Sequence, residues 1–248
     1  MPRGRVERHL DLFLDVPRFK DYCPNGLQVE GSPRVSSVVS GVTASLALIR
    51  GAVRAGADTL LVHHGWFWRG EDPRILGPRR ERLALVLAHR LNLFAYHLPL
   101  DVHPEVGNNS QLGARLGWGV AGRFGEAGLG CWHDFDAPRP LAAVAGALAG
   151  VLQREPLVIA AGRRRIRRIA WCTGAAQDML QQAADVGADA FVSGEISERT
   201  THLARELGVA YLAAGHHATE RFGVQALGEH LVQAFGVSHR FIDDPNPV

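Results

Sequence analysis

The chain has 248 residues, 46% of them hydrophobic and 21% charged, with a formal net charge of +2. That composition excludes disordered and collagen-like architectures and allows one large domain or two of moderate size. The longest uncharged apolar run, 141–152, falls short of the roughly 18–20 residues that cross a bilayer, and no apolar core follows the basic N-terminal residues as in a secretory leader. A membrane partner is therefore not expected, and the expected compartment is the cytoplasm.

In chain order, the β-branched run 35–43 reads as a strand. Ser45 stands where a helix N-cap would, and apolar residues at helical spacing from Leu46 to Ala55 end at Gly56. A short buried strand, 58–62, runs into His63-His64-Gly65. A helix over 80–91 and a strand over 93–96 follow, then His97 to Asp101, where Pro99 takes the chain out of strand pairing. The stretch 118–165 is less regular apart from a helix at 141–152, and serves either as a small subdomain or as the first elements of the second half.

The later half repeats the pattern. A strand at 168–173, a helix at 175–186, a strand at 187–193, a helix at 197–207 and a strand at 209–213 lead into His216-His217. A last helix with apolar spacing from Phe222 to Leu231 and a strand at 238–242 close it. Gly-Ala-Asp recurs at 56–58 and 187–189, each time between a helix and a strand, which suggests a duplicated βαβ unit. The expected fold class is α/β: two pseudo-repeated lobes, 1–125 and 126–248, whose polar clusters converge on one cleft if the two halves face each other.

The polar clusters follow the carboxyl ends of strands, where open parallel sheets bind ligands. Adjacent residues on a regular strand face opposite ways, so His63 and His64 are expected to diverge toward two ions in the turn at Gly65. His216 and Glu220, four apart, share one helix face. Imidazole nitrogen and carboxylate oxygen suit zinc, iron, manganese or nickel, and Asp101 and Glu220 each have two oxygens with which to bridge a pair. Each element also has a plainer explanation. A His-His pair can be hydrogen-bonded core, an H-x-x-x-E a solvated pair, and Glu195 a carboxylate favoured by a helix N-terminus. Trp66, Phe67 and Trp68 read equally as a stacking wall, a lid, core or a subunit contact. The arginine run 163–168 reads as a solvated turn or as a phosphate contact. The three cysteines, Cys23, Cys131 and Cys172, lack paired spacing and suggest neither disulfides nor a thiolate zinc site. Nucleotide-triphosphatase, dinucleotide and serine-hydrolase fingerprints are missing.

In order along the chain, the segments 25–31, 41–45, 62–65, 97–101, 107–109, 170–174 and 214–220 together resemble the GTP cyclohydrolase I type 2-like family of dinuclear-metal-centre proteins. The resemblance implies two interlinked α/β lobes with the metal site in the cleft between them, a toroidal homohexamer, and two divalent ions per subunit held by His63, His64, Asp101, His216 and Glu220, with the two carboxylates bridging. It implies a metal-dependent hydrolase acting on a small molecule, a nucleotide being one candidate. His97, four residues before Asp101, is the candidate proton carrier or an orienting neighbour. The alternatives are a non-catalytic, metal-stabilised module that engages a protein or nucleic acid, and a metal chaperone.

Overall fold

The computed structural model describes residues 1–162 and 165–248. Two compact units are discontinuous in sequence: 1–107 with 223–245, and 108–222 with 246–248. The boundary differs from the expected division after residue 125, because the C-terminal strand pairs with a strand of the first unit and draws the end of the last helix with it.

The first unit contains helix α1 (Arg3–Phe13), strand β1 (Gly26–Val29), β2 (Ser37–Thr43), α2 (Leu46–Arg54), β3 (Thr59–His64), α3 (Gly77–Ala88), β4 (Asn92–Ala95) and the short α4 (Leu98–Val102). The second contains α5 (Asn108–Leu116), β5 (Gly122–Phe124), β6 (Gly130–Pro140), α6 (Leu141–Leu152), β7 (Leu157–Ile159), β8 (Arg165–Cys172), α7 (Leu180–Asp185), β9 (Ala190–Ser193), α8 (Glu198–Leu207) and β10 (Ala210–Ala213). Helix α9 (His216–Phe235) begins in the second unit and ends in the first, before β11 (Ser238–Phe241).

Among the described residues the strands form two sheets, ordered β1-β4-β3-β2-β11 and β5-β6-β8-β9-β10-β7. Strands β4, β3, β2 and β11 run parallel, as do β8, β9 and β10. A parallel strand covered on both faces carries a continuous apolar run, and the middle of β3 supplies one: Leu60 and Val62 pack with Leu48, Ile49 and Ala52 of α2, while Leu61 packs with Val6 and Leu10 of α1 and Leu227 of α9. The second sheet is built alike. Ile169 and Trp171 of β8 join Val144 and Leu148 of α6, and Ala170 and Cys172 join Leu180 of α7 and Ala204 of α8.

The repeated Gly-Ala-Asp performs the same task twice. Gly56 and Gly187 take positive φ (67° and 77°) at the helix ends, a conformation that glycine adopts without a Cβ clash. The Asp58 carboxylate then accepts from the backbone N–H groups of Ser36 and Ser37, and the Asp189 carboxylate from those of Arg167 and Arg168.

Local departures from the sequence reading have local causes. The helix expected at 175–186 is a 3₁₀ turn, Gln177–Met179, followed by the short α7. The stretch 118–165 supplies β5, β6, α6 and β7, so it belongs to the second sheet and is no separate subdomain. Among the described residues no helix is long and apolar enough to cross a membrane.

Candidate metal centre

His63 and His64 are the last two residues of β3 and not part of the turn after it. Their rings lie 4.6 Å apart and tilted by 42°, although adjacent strand residues start out toward opposite faces. His63 is fully buried, its Nδ1 2.9 Å from the Tyr96 carbonyl oxygen. A carbonyl only accepts, so Nδ1 carries the proton and Nε2 is the lone-pair nitrogen. That Nε2 lies 3.5 Å from Asp101 Oδ1. Thr43 Oγ1 stands 3.1 Å from His64 Nδ1, which makes His64 Nε2 the outward nitrogen.

Pro99 falls in the first turn of α4, where a missing N–H costs nothing. The helix thus starts at once after β4 and carries Asp101 inward, 5% exposed, toward His63. His97 precedes it. The His97 Nδ1 is 2.7 Å from Asp21 Oδ1, and its ring lies 5.1 Å from that of His63 and 5.0 Å from the indole of Trp68. His63, His64 and His97 each offer a ring nitrogen within 4.8 Å of the others. Asp21 also accepts from Asn25 Nδ2 and Leu98 N–H. Burial would raise its carboxyl, but the hydrogen bond and charge of His97, with Asn25 and the Tyr22 N–H, hold it down at about 2. Asp21, Cys23 and His97 form another close group, but burial and the Asp21 charge push the Cys23 thiol up to about 12, so it is no thiolate donor there.

In the second unit, the first turn of α9 presents His216 and Glu220 together, His216 Nε2 being 3.1 Å from Glu220 Oε2. His216 Nδ1 is 2.7 Å from Glu195 Oε1, so Glu195 orients the imidazole and does not cap a helix, the role open to it from sequence. Burial alone would lower the His216 pKa, yet the hydrogen bonds and charges of Glu220 and Glu195 carry it up to about 9. The local field favours a cation. Thr219 Oγ1 bonds the His216 carbonyl and accepts from the Gly174 N–H. Gly174 has φ +71°, and a Cβ there would lie 2.1 Å from Glu220 Oε1. His217 is buried, its N–H donating to the Val248 carbonyl, and His103 Nδ1 caps the N–H groups of Glu105 and Val106, so both have structural duties.

Each expected histidine ligand thus has its Nδ1 within hydrogen-bond distance of an oxygen, and the Nε2 of His63 and of His216 stands beside a carboxylate, the arrangement by which proteins fix metal-binding imidazoles. With carboxylate partners beside two of them and no thiolate among the donors, the residues fit divalent zinc, iron, manganese or nickel. Sequence reading missed the roles of Asp21, Thr43 and the Tyr96 carbonyl. Asp21 sits in the polar stretch 21–26, whose asparagine and glycine were the available signal.

A pocket of about 480 Å³ adjoins His64, lined among others by Trp66, Trp68, Glu71, Asp72, Arg74, Arg79 and Arg82. Trp66 is its fixed floor, buried and donating through Nε1 to the Ala44 carbonyl. Of the arginine run, Arg163 and Arg164 lie outside the described residues. Arg165 and Arg167 donate to the Pro138 and Asp136 carbonyls, and Arg168 pairs with Asp134 above the ring of Trp132. These three are committed within their own sheet.

The chain matches the Duf34/NIF3 (NGG1p interacting factor 3) family over residues 1–247. A relative from Pseudomonas aeruginosa named GTP cyclohydrolase 1 type 2 homolog is 53% identical over 241 residues, 96% of this chain and 95% of its own. Among solved structures, protein ybgI is similar with a TM-score of 0.97 and 47% identity, and TTHA1606 from Thermus thermophilus with 0.93 and 36%, each covering 100% of both chains. Fold, full-length coverage and identity agree, and the chain belongs to the Duf34/NIF3 family.

Proposed function

We propose that the chain is a dinuclear metal-dependent hydrolase in which His63, His64, Asp101, His216 and Glu220 would hold two divalent ions, and that it works as a ring-shaped homohexamer. The observation that carries this reading is the shared design of the donors: Nδ1 of each histidine beside an oxygen, and the Nε2 of His63 and of His216 at 3.5 and 3.1 Å from a carboxylate oxygen. The names of the relatives, GTP cyclohydrolase 1 type 2 homologs, favour a nucleotide or another small molecule as substrate.

Bound ions of this class supply Lewis acidity and make water more acidic. The chain's own residues do the rest. Glu195 keeps His216 in one tautomer and raises its basicity as a donor. Asp21 keeps the proton of His97 on Nδ1, so Nε2 is the atom that takes or gives a proton at the reacting group. The buried walls around His63 and Asp101 exclude bulk water and strengthen every charge interaction there.

The test is metal content by plasma mass spectrometry together with turnover. Purified wild-type protein is expected to bind about two ions per chain, and Glu220→Gln and Asp101→Asn to lose most of them. Glu195→Gln is expected to weaken metal binding by roughly 10- to 100-fold. Wild-type protein that takes up no stoichiometric metal overturns the metal centre. Metal-replete protein that hydrolyses neither GTP nor any of a panel of nucleotides and phosphoesters overturns the hydrolase.

A further inference from the structure

The pocket beside His64 lies wholly within the first unit, and its charges are unevenly matched. Arg74 is gripped by Asp72 through both Nε and Nη2, at 2.9 and 2.6 Å. Arg79 donates to Glu71 at 2.8 Å. Those two arginines and two acids cancel. Arg82 is different: its Nε is buried and makes no hydrogen bond among the described residues. Arg82 lines the pocket half-buried and pairs with no carboxylate among the described residues, and an oxyanion is the ligand that matches the fork of a guanidinium.

The opposite wall is aromatic. The Trp68 indole lines the pocket 6.0 Å from the His64 ring and stands at 86° to His97. Its volume, about 480 Å³, falls within the range of roughly 300–1,000 Å³ that small-molecule sites occupy. An excess cation and an indole in one cleft select a ligand with two parts, an anionic group and a flat ring.

We propose that this pocket is the binding site for a phosphorylated planar heterocycle, with Arg82 taking the phosphate and Trp68 packing against the ring. The proposal deepens the hydrolase reading by naming its substrate class, and rests on that reading in that His64, on the pocket wall, is taken as a metal ligand. Glu71 and Asp72 do not oppose it, since their charges are spent on Arg79 and Arg74. They tie those arginines back and leave Arg82 as the anchor.

The test is calorimetric titration of metal-replete, full-length protein at low salt with adenosine 5′-monophosphate, adenosine and inorganic phosphate. Wild-type protein is expected to bind the monophosphate saturably. Arg82→Ala should weaken it about tenfold or more, the effect of one charge-assisted contact, and leave adenosine unchanged. Arg82→Lys should recover part of the loss, while Trp68→Ala should weaken the monophosphate and adenosine alike and spare phosphate. Thermal melts establish that each variant is folded. Equal affinity of the monophosphate for wild type and Arg82→Ala, or no saturable binding of any probe, overturns the proposal. Measuring metal content on the same samples separates the two readings. Loss of ions with Arg82-dependent binding intact removes the metal centre alone, and full metal occupancy without Arg82-dependent binding removes the pocket alone.

Discussion

Gly174 shows how a single atom can decide the chemistry of the second unit. A methyl there would clash with Glu220 Oε1 at 2.1 Å and lie 3.3 Å from His216 Nε2, and the positive φ adds backbone strain of roughly 1–2 kcal/mol for any L side chain. Gly174→Ala is therefore expected to lower metal content more than it lowers the thermal midpoint. Parallel mass spectrometry and calorimetry check this, and a variant with wild-type metal content and a lowered midpoint would contradict it. The candidate donors stood out in the sequence because their residue types announce chemistry and each lies at or shortly after the end of a strand. Glycine and asparagine announce only a turn, and an aspartate 76 residues away in sequence announces nothing, so Gly174, Asn25 and the Asp21–His97 pair required the folded chain.

At the scale of elements, periodicity was the reliable guide. Ser45 accepts from the Leu48 N–H as an N-cap, and Ser197 caps α8 with Thr200 as its reciprocal partner. Short elements were harder. The five residues of α4 are too few to show a helical period, and the end of β3 extends through both histidines because the register with β2 continues to Thr43 and His64. The apolar alternation within β3 makes a sharp prediction. Leu61, fully buried, touches α1 and α9, whereas Leu87 on α3 is 54% exposed. Leu61→Ala should cost about 2–5 kcal/mol of unfolding free energy, and Leu87→Ala no more than roughly 0.5. Urea denaturation of the two variants checks it, and equal midpoints would refute the packing described for the first sheet.

For the molecule as a whole, the Asp21 carboxyl couples folding to pH. Its ordinary value is 3.8 and the folded protein holds it at about 2, so the unfolded chain binds a proton that the folded chain refuses. The stabilisation is complete above about pH 5 and declines as pH falls through the window between those two values. Asp21→Asn removes the linkage. Its urea midpoint should lie below that of wild type at pH 7, and the gap should narrow as pH approaches 2, when followed by circular dichroism. A constant gap would show that Asp21 stabilises by shape alone. Sequence reading reached the α/β class and the internal repeat because Gly-Ala-Asp marks equivalent turns. It placed the division after residue 125, since nothing local in 223–245 shows that β11 will pair beside β2.

That pairing sets an order of events during synthesis. The second unit is an insertion within the first, so when residues 1–107 have left the ribosome they still lack Val224, Leu227 and Leu231, which seal one face of their sheet, and the strand that closes its edge. The inserted unit emerges almost complete in one continuous stretch. It is the part equipped to fold first, and the N-terminal unit, although made earlier, must wait for the last helix and strand before its core is dry.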